Sequence, residues 1–163
     1  MERPIYQVAP ARGSRDLEQV RTLFREYAAG LGFDLAYQGF DAELASLPGK
    51  YARPAGELLL ARGEDGEAAG CVGVRPLDIL GACEVKRLYV CDRDRGTGTG
   101  RALATAAVAF AAKAGYDQVL LDTLPFMTAA IALYRALGFE PAAAYWNGAV
   151  PGTLYFAKRL RRG

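Results

Sequence analysis

The run Arg95-Gly96-Thr97-Gly98-Thr99-Gly100-Arg101 joins a β-like segment, residues 84–90, to a long Ala-rich segment of helical character. Alternate glycines allow a tight turn and a close backbone approach, and the first N–H groups of a helix have no partner within it. Strand, glycine turn and helix start in that order make an anion cradle, and the flanking arginines suit the oxygens of a pyrophosphate. The spacing excludes two nucleotide motifs. A P-loop places Lys and then Ser or Thr after its last glycine, where this chain has Arg101 and Ala102; a dinucleotide fingerprint needs its third glycine at Arg101.

What remains is R-x-x-G-x-G in two overlapping registers, Arg93 with Gly96 and Gly98, or Arg95 with Gly98 and Gly100. Leu88-Tyr89-Val90 precedes it and Leu133-Tyr134-Arg135-Ala136-Leu137-Gly138-Phe139 follows. With these flanks the chain resembles the GNAT superfamily of acyl-CoA-dependent N-acyltransferases over residues 84–139, and more loosely in element order over most of its length. The resemblance implies an α/β fold with a mixed, mostly antiparallel sheet and helices on both faces. It also implies acetyl-CoA as cosubstrate, lying in a V-shaped gap between strands 83–90 and 118–122. Leu88, Tyr89 and Val90 would meet its pantetheine arm, and Arg93, Arg95, Gly96, Thr97, Gly98, Thr99, Gly100 and Arg101 its pyrophosphate. Members often carry Asn seven residues before the motif tyrosine; here Met127 stands there, so that contact is either lost or supplied by Thr123 or Thr128.

Amide formation from a thioester needs a neutral amine, charge stabilisation at the carbonyl oxygen and a proton for the leaving thiolate. Glu84 occupies the strand position where many GNAT enzymes carry a general base, and Tyr134 the position whose hydroxyl points at the coenzyme sulfur as general acid. Read from the residues alone, Glu84 is equally a strand-end carboxylate paired with Lys86 or Arg62 at the surface. Tyr134 is equally a core tyrosine on the stripe of Ala130, Ile131 and Leu137. Strand alternation puts Glu84, Lys86, Leu88 and Val90 on one face and Cys83, Val85, Arg87 and Tyr89 on the other.

The 163 residues suit one domain that buries about 70% of its unfolded surface. Lys and Arg number 20 against 18 Asp and Glu, a net +2, so neither nucleic acid nor an anionic membrane is signalled as a partner. The basic terminus, residues 158–162, reads as solvated. There is no histidine, and the three cysteines lack a C-x-x-C spacing. No Cys/His zinc set, Ser-His-Asp triad or Cys-His dyad can form, and no metal is expected. Cys71 and Cys83 read as strand filler, while Cys91 can be partly exposed. With no signal-peptide pattern and no run of about 18 apolar residues, the expected compartment is the cytoplasm.

Periodicity and turn signals predict strands at residues 5–8, 57–62, 68–76, 83–90, 118–122, 143–146 and 153–158. Helices are predicted from Ser14 and Asp16 to about Gly30, over 41–47, 99–114 and 127–137. The acceptor is expected to be a small amine or amino acid. Tyr37, Tyr145, Trp146 and Asn147 can shape its pocket, with Lys86 or Arg87 for a carboxylate. A non-catalytic acyl-CoA-binding module is the other class of protein such a cleft serves. The apolar last hairpin offers an edge for a second copy of the chain.

Overall fold

Turn chemistry sets the first half of the sheet. In the computed structural model, which describes residues 6–32, 34–35 and 39–160, strand β1 (Gln7–Pro10) leads into helix α1 (Gly13–Ala29) and the short helix α2 (Phe40–Ser46). Strands β2 (Glu57–Arg62) and β3 (Ala68–Pro76) close around Gly63 to Gly66, where Gly66 takes φ +79°. A second hairpin joins β3 to β4 (Ala82–Val90). Helix α3 (Thr99–Lys113) then carries the chain over to β5 (Gln118–Thr123) in the way a parallel pair requires. Helix α4 (Thr128–Ala136), β6 (Glu140–Pro141) and β7 (Leu154–Arg159) complete the described chain.

The sheet order is β1-β2-β3-β4-β5-β7-β6, with β4 and β5 parallel and every other described pair antiparallel. Helices cover both faces. Val72, Val74, Cys83, Val85, Val119 and Leu121 pack against Leu103 and Ala107 of α3 and Tyr134 of α4. Leu58, Leu60 and Cys71 pack on the opposite face against Val20, Leu23 and Phe24 of α1 and Phe40 and Leu44 of α2.

The structure departs from the sequence reading in four places. The first strand lies at residues 7–10 rather than 5–8 and ends on Pro10, which an edge strand tolerates; Ile5 is outside the described residues. Helix α1 starts from Arg12, whose backbone N–H donates to Asp16 Oδ2 at 2.8 Å, so Ser14 lies inside the helix and is not its cap. Residues 143–146 form no strand, because Tyr145 and Trp146 turn onto the sheet face and bond carboxylates there.

The fourth departure redraws the site. Gly73 pairs with Lys86 but Cys71 pairs with Tyr89, a register slip centred on Arg87, whose φ is +60°. This bulge reverses the alternation. Leu88 and Val90 therefore pack with Cys83 and Val85 on the α3 side, while Tyr89 joins the α1 side that Leu60 and Cys71 occupy. Arg87 turns to the α2 side, where its guanidinium meets the Glu43 carboxylate through two bonds of 3.1 Å and stacks near Phe40 and Tyr27.

Candidate active site

The parallel pairing of β4 and β5 runs only from Ala82↔Gln118 to Glu84↔Leu120. Beyond that rung both strands continue, to Val90 and Thr123, without a partner on the side where they diverge. The splay opens a cleft of about 470 Å³ lined by Leu88, Tyr89 and Val90, by Arg95, Gly96, Gly98, Thr99 and Gly100, and by Met127 to Ala130 with Leu133. Phe126, Tyr27 and Leu31 lie at its rim.

The mouth of this cleft is the start of α3. Gly96 and Gly98 have φ of +77° and +87°, and a Cβ on either would meet nothing within 4 Å. The glycines thus serve backbone conformation and leave the space above them open. The first α3 bond inward is Ala102 N–H to Gly98 O, at 3.0 Å. The amides of residues 96–101 donate to no backbone carbonyl among the described residues. They form a set of outward donors at the positive end of a 15-residue helix. The residues present fit a diphosphate.

Of the two arginine registers, Arg95 lines the cleft. Its Nε donates to Val90 O at 3.2 Å and its guanidinium lies over Tyr89. Arg93 pairs with Asp94 and faces grooves on the far side of Tyr89, so the structure places it outside the cleft. The Thr97 hydroxyl bonds Asp94 O and Thr99, and the Arg101 side chain is exposed; neither lines the cleft. The Thr123 hydroxyl turns to Met127 Sδ, 3.4 Å away, and borders the small space beside Asp122 and Trp146 instead, while Thr128 does line the cleft.

Tyr134 is fixed by the end of its helix. Phe139 N–H donates to Tyr134 O and Gly138 N–H to Arg135 O, both at 3.0 Å, with Gly138 at φ +92°. That pattern is a Schellman cap, and its usual apolar contact is present as the edge-to-face packing of Tyr134 on Phe139, 5.7 Å between centroids. The hydroxyl has no hydrogen-bond partner among the described residues, yet no buried side-chain oxygen there is orphaned, so it is reachable from outside. Burial raises its phenol above the ordinary value, and Tyr27 and Asp122 add to the rise. Both of those residues belong to the opposite face, so the hydroxyl senses them through the splay.

On the α1/α2 side of the same gap lie Glu84, Lys86 and Asp122. Glu84 is 1% exposed. It accepts from Arg75 Nε at 2.8 Å and from the Tyr145 hydroxyl, while Arg62 pairs with Asp16 elsewhere. Burial opposes the charge on Arg75, but Glu84, Tyr51 and Glu43 together raise its guanidinium all the same. Burial lowers the Lys86 ammonium, against the pull of Glu84 and Asp122. The Lys86 Nζ lies 5.9 Å above the Trp146 ring, and Trp146 Nε1 donates to Asp122 Oδ2 at 2.7 Å. Burial and then Glu84 raise the Tyr145 phenol. Asn147 is exposed, and Tyr37 lies outside the described residues.

The sequence reading missed Arg75, Glu43 and Asp122. Arg75 was within reach: once Pro76 pairs with Cys83 across the hairpin, Arg75 must face Glu84. Asp122 had only its place at the end of a strand to mark it.

No nucleophile is built from sulfur. Burial pushes the Cys83 thiol up to about 12 and raises Cys71 further; Cys91, held near Glu26, is raised as well. The folded protein should therefore react with well under one equivalent of Ellman's reagent within minutes at pH 8, and with three in denaturant. A fast native equivalent would reveal an activated thiol. No His/Cys/Asp/Glu group suited to a metal occurs among the described residues, and no helix there is long and apolar enough to cross a membrane.

The sequence pattern of the acetyltransferase (GNAT) family matches residues 17–139. An uncharacterized N-acetyltransferase of Schizosaccharomyces pombe is 39% identical over 148 residues, 91% of each chain. Human N-acetylaspartate synthetase is 33% identical over 119 residues, 72% of this chain and 39% of that one. In three dimensions a GNAT-family acetyltransferase of Staphylococcus aureus superposes with a TM-score of 0.80 over 96% of this chain and 100% of that one, at 15% identity, which shows the shared fold. The chain therefore belongs to the GNAT family of acetyltransferases.

Proposed function

We propose that this chain transfers the acetyl group of acetyl-CoA to the primary amine of a small molecule, with an amino acid as the acceptor class, by direct attack in a ternary complex. The observation that carries the reading is the cleft itself. An unpartnered β4 edge at Leu88 to Val90 leads to the open amides of residues 96–101, and the Tyr134 phenol, behind the residues that line the cleft, is close enough to sense Tyr27 and Asp122. The β4 backbone would pair with the pantetheine amides, and the α3 amides with Arg95 would hold the pyrophosphate. Bound there, acetyl-CoA supplies the activated acyl group. Glu84 takes the proton from the acceptor ammonium, directly or through water, and Tyr134 gives one to the sulfur.

The acceptor class follows from charge. Around the splay Arg75, Lys86 and Arg87 are interleaved with Glu43, Glu84 and Asp122. A polycation would meet no excess of carboxylates, whereas a zwitterion has a partner for each of its ends. The likeness to a synthetase named for N-acetylaspartate supports an amino acid.

Thermal unfolding with acetyl-CoA, beside ATP and a nicotinamide dinucleotide, tests the cleft. At about 100 times the dissociation constant a ligand adds roughly 2.7 kcal/mol, which raises the Tm of a chain this long by several degrees. Acetyl-CoA alone should give that rise. A rise only with another nucleotide would overturn the reading.

A further inference from the structure

The acceptor side of the splay is filled. The space bounded by Asp122, Thr123, Met127 and Trp146 amounts to about 30 Å³, the share of one water and too little for an amine with a carbon skeleton. The filler is the segment between β6 and β7. Its base is tied to β7 by Ala142 N–H on Tyr155 O at 2.8 Å, and it returns to β7 through a turn closed by Thr153 N–H on Val150 O at 3.1 Å. Between them two adjacent side chains reach down to the sheet. The Tyr145 hydroxyl donates to Glu84 on β4, and the Trp146 indole N–H donates to Asp122 on β5. One strap therefore supplies a neutral donor to a carboxylate on each diverging strand, where the amine must stand to meet an acyl group in the splay.

We infer that Tyr145 and Trp146 are place-holders for the acceptor ammonium, and that Asp122, with Glu84, is the carboxylate that receives it once the strap is displaced. The inference rests on the transferase reading and adds a positioning residue and a competing donor to it. An ammonium presents charged N–H groups in place of a neutral indole and phenol, and charged hydrogen bonds are the stronger, so the exchange favours the acceptor. The indole N–H then works against acceptor binding, because the competent state requires its bond to Asp122 to open.

Trp146 is the chain's one tryptophan, so its emission reports the strap alone. The protein saturated with free CoA, which has no acetyl group to transfer, is titrated with each common amino acid while emission is recorded. Acceptors identified by thiol release from acetyl-CoA should shift Trp146 emission to the red, half-saturating near their KM. Trp146→Phe, which keeps an aromatic ring but removes the N–H, should lower the acceptor KM by about three- to tenfold with kcat nearly unchanged. Asp122→Asn should raise that KM by about 10- to 100-fold and leave the KM for acetyl-CoA alone.

Emission that stays flat under a saturating acceptor, or an acceptor KM that rises in Trp146→Phe, would overturn the inference and leave the transferase reading standing. A panel in which no amine gives thiol release from acetyl-CoA would overturn the transferase reading. In that case the titration still decides the strap: a red shift with an amino acid supports it, and flat emission throughout sinks it.

Discussion

Tyr134→Phe is expected to lower kcat by roughly one to three orders of magnitude while the KM for acetyl-CoA stays within about twofold. The Schellman cap and the Phe139 contact hold the ring by its backbone and its edge, and phenylalanine keeps both. Since the hydroxyl bonds no described residue, its removal orphans nothing, and the Tm should stay within about 2 °C of the parent. What is lost is one proton donor at the splay. Burial keeps that phenol protonated, so the donor is in place when the thiolate leaves. A phenol is already a weaker acid than an alkyl thiol, whose pKa is about 8.5, and burial weakens it further, so much of the benefit is a hydrogen bond to developing charge on sulfur. Thiol release under saturating acceptor measures kcat, and an unchanged value would remove Tyr134 from the chemistry.

The backbone part of the site was legible because it is local. Gly96, Gly98 and the start of α3 state their conformation within a few residues, and Tyr134 and Gly138 lie on one helix end. The side-chain part was less so, because its partners are far apart in sequence. Arg87 lies 44 residues from Glu43, and Trp146 lies 24 from Asp122. The hydrophobic pattern of β4 carries no mark of the bulge at Arg87, since Leu88 and Val90 look apolar whichever face they take. Tyr145 and Trp146 misled the strand reading for a related reason. Aromatic residues favour strands, but these carry polar tips, and the buried Glu84 and half-buried Asp122 carboxylates drew those tips onto the sheet face. Residue chemistry pointed to the right neighbourhood, and register decided who meets whom.

Register also shapes the second large effect, at Glu84. Glu84→Gln should lower kcat/KM by about two to four orders of magnitude and flatten the acid limb of its pH profile, since the amide cannot take a proton from the acceptor. Stability falls as well. Glutamine still accepts from Arg75, but the guanidinium loses its counter-charge in a place where the carboxylate is 1% exposed and the arginine side chain 22%. Losing a charged hydrogen bond of that kind costs about 1.5–3 kcal/mol, several degrees in Tm. A fall in rate alone would then be ambiguous, because a loosened β3–β4 ladder also disturbs the site. The double variant Arg75→Met with Glu84→Gln separates the two causes. Replacing both members of a buried pair by well-packed apolar groups of similar volume is often neutral; glutamine remains polar but keeps the Tyr145 hydroxyl as a partner, so part of the lost Tm should return. Turnover should not return, because the proton acceptor is still missing. A double variant that regained both stability and rate would make Glu84 a structural partner of Arg75 and pass the role of base to Asp122, the other carboxylate at the mouth of the splay.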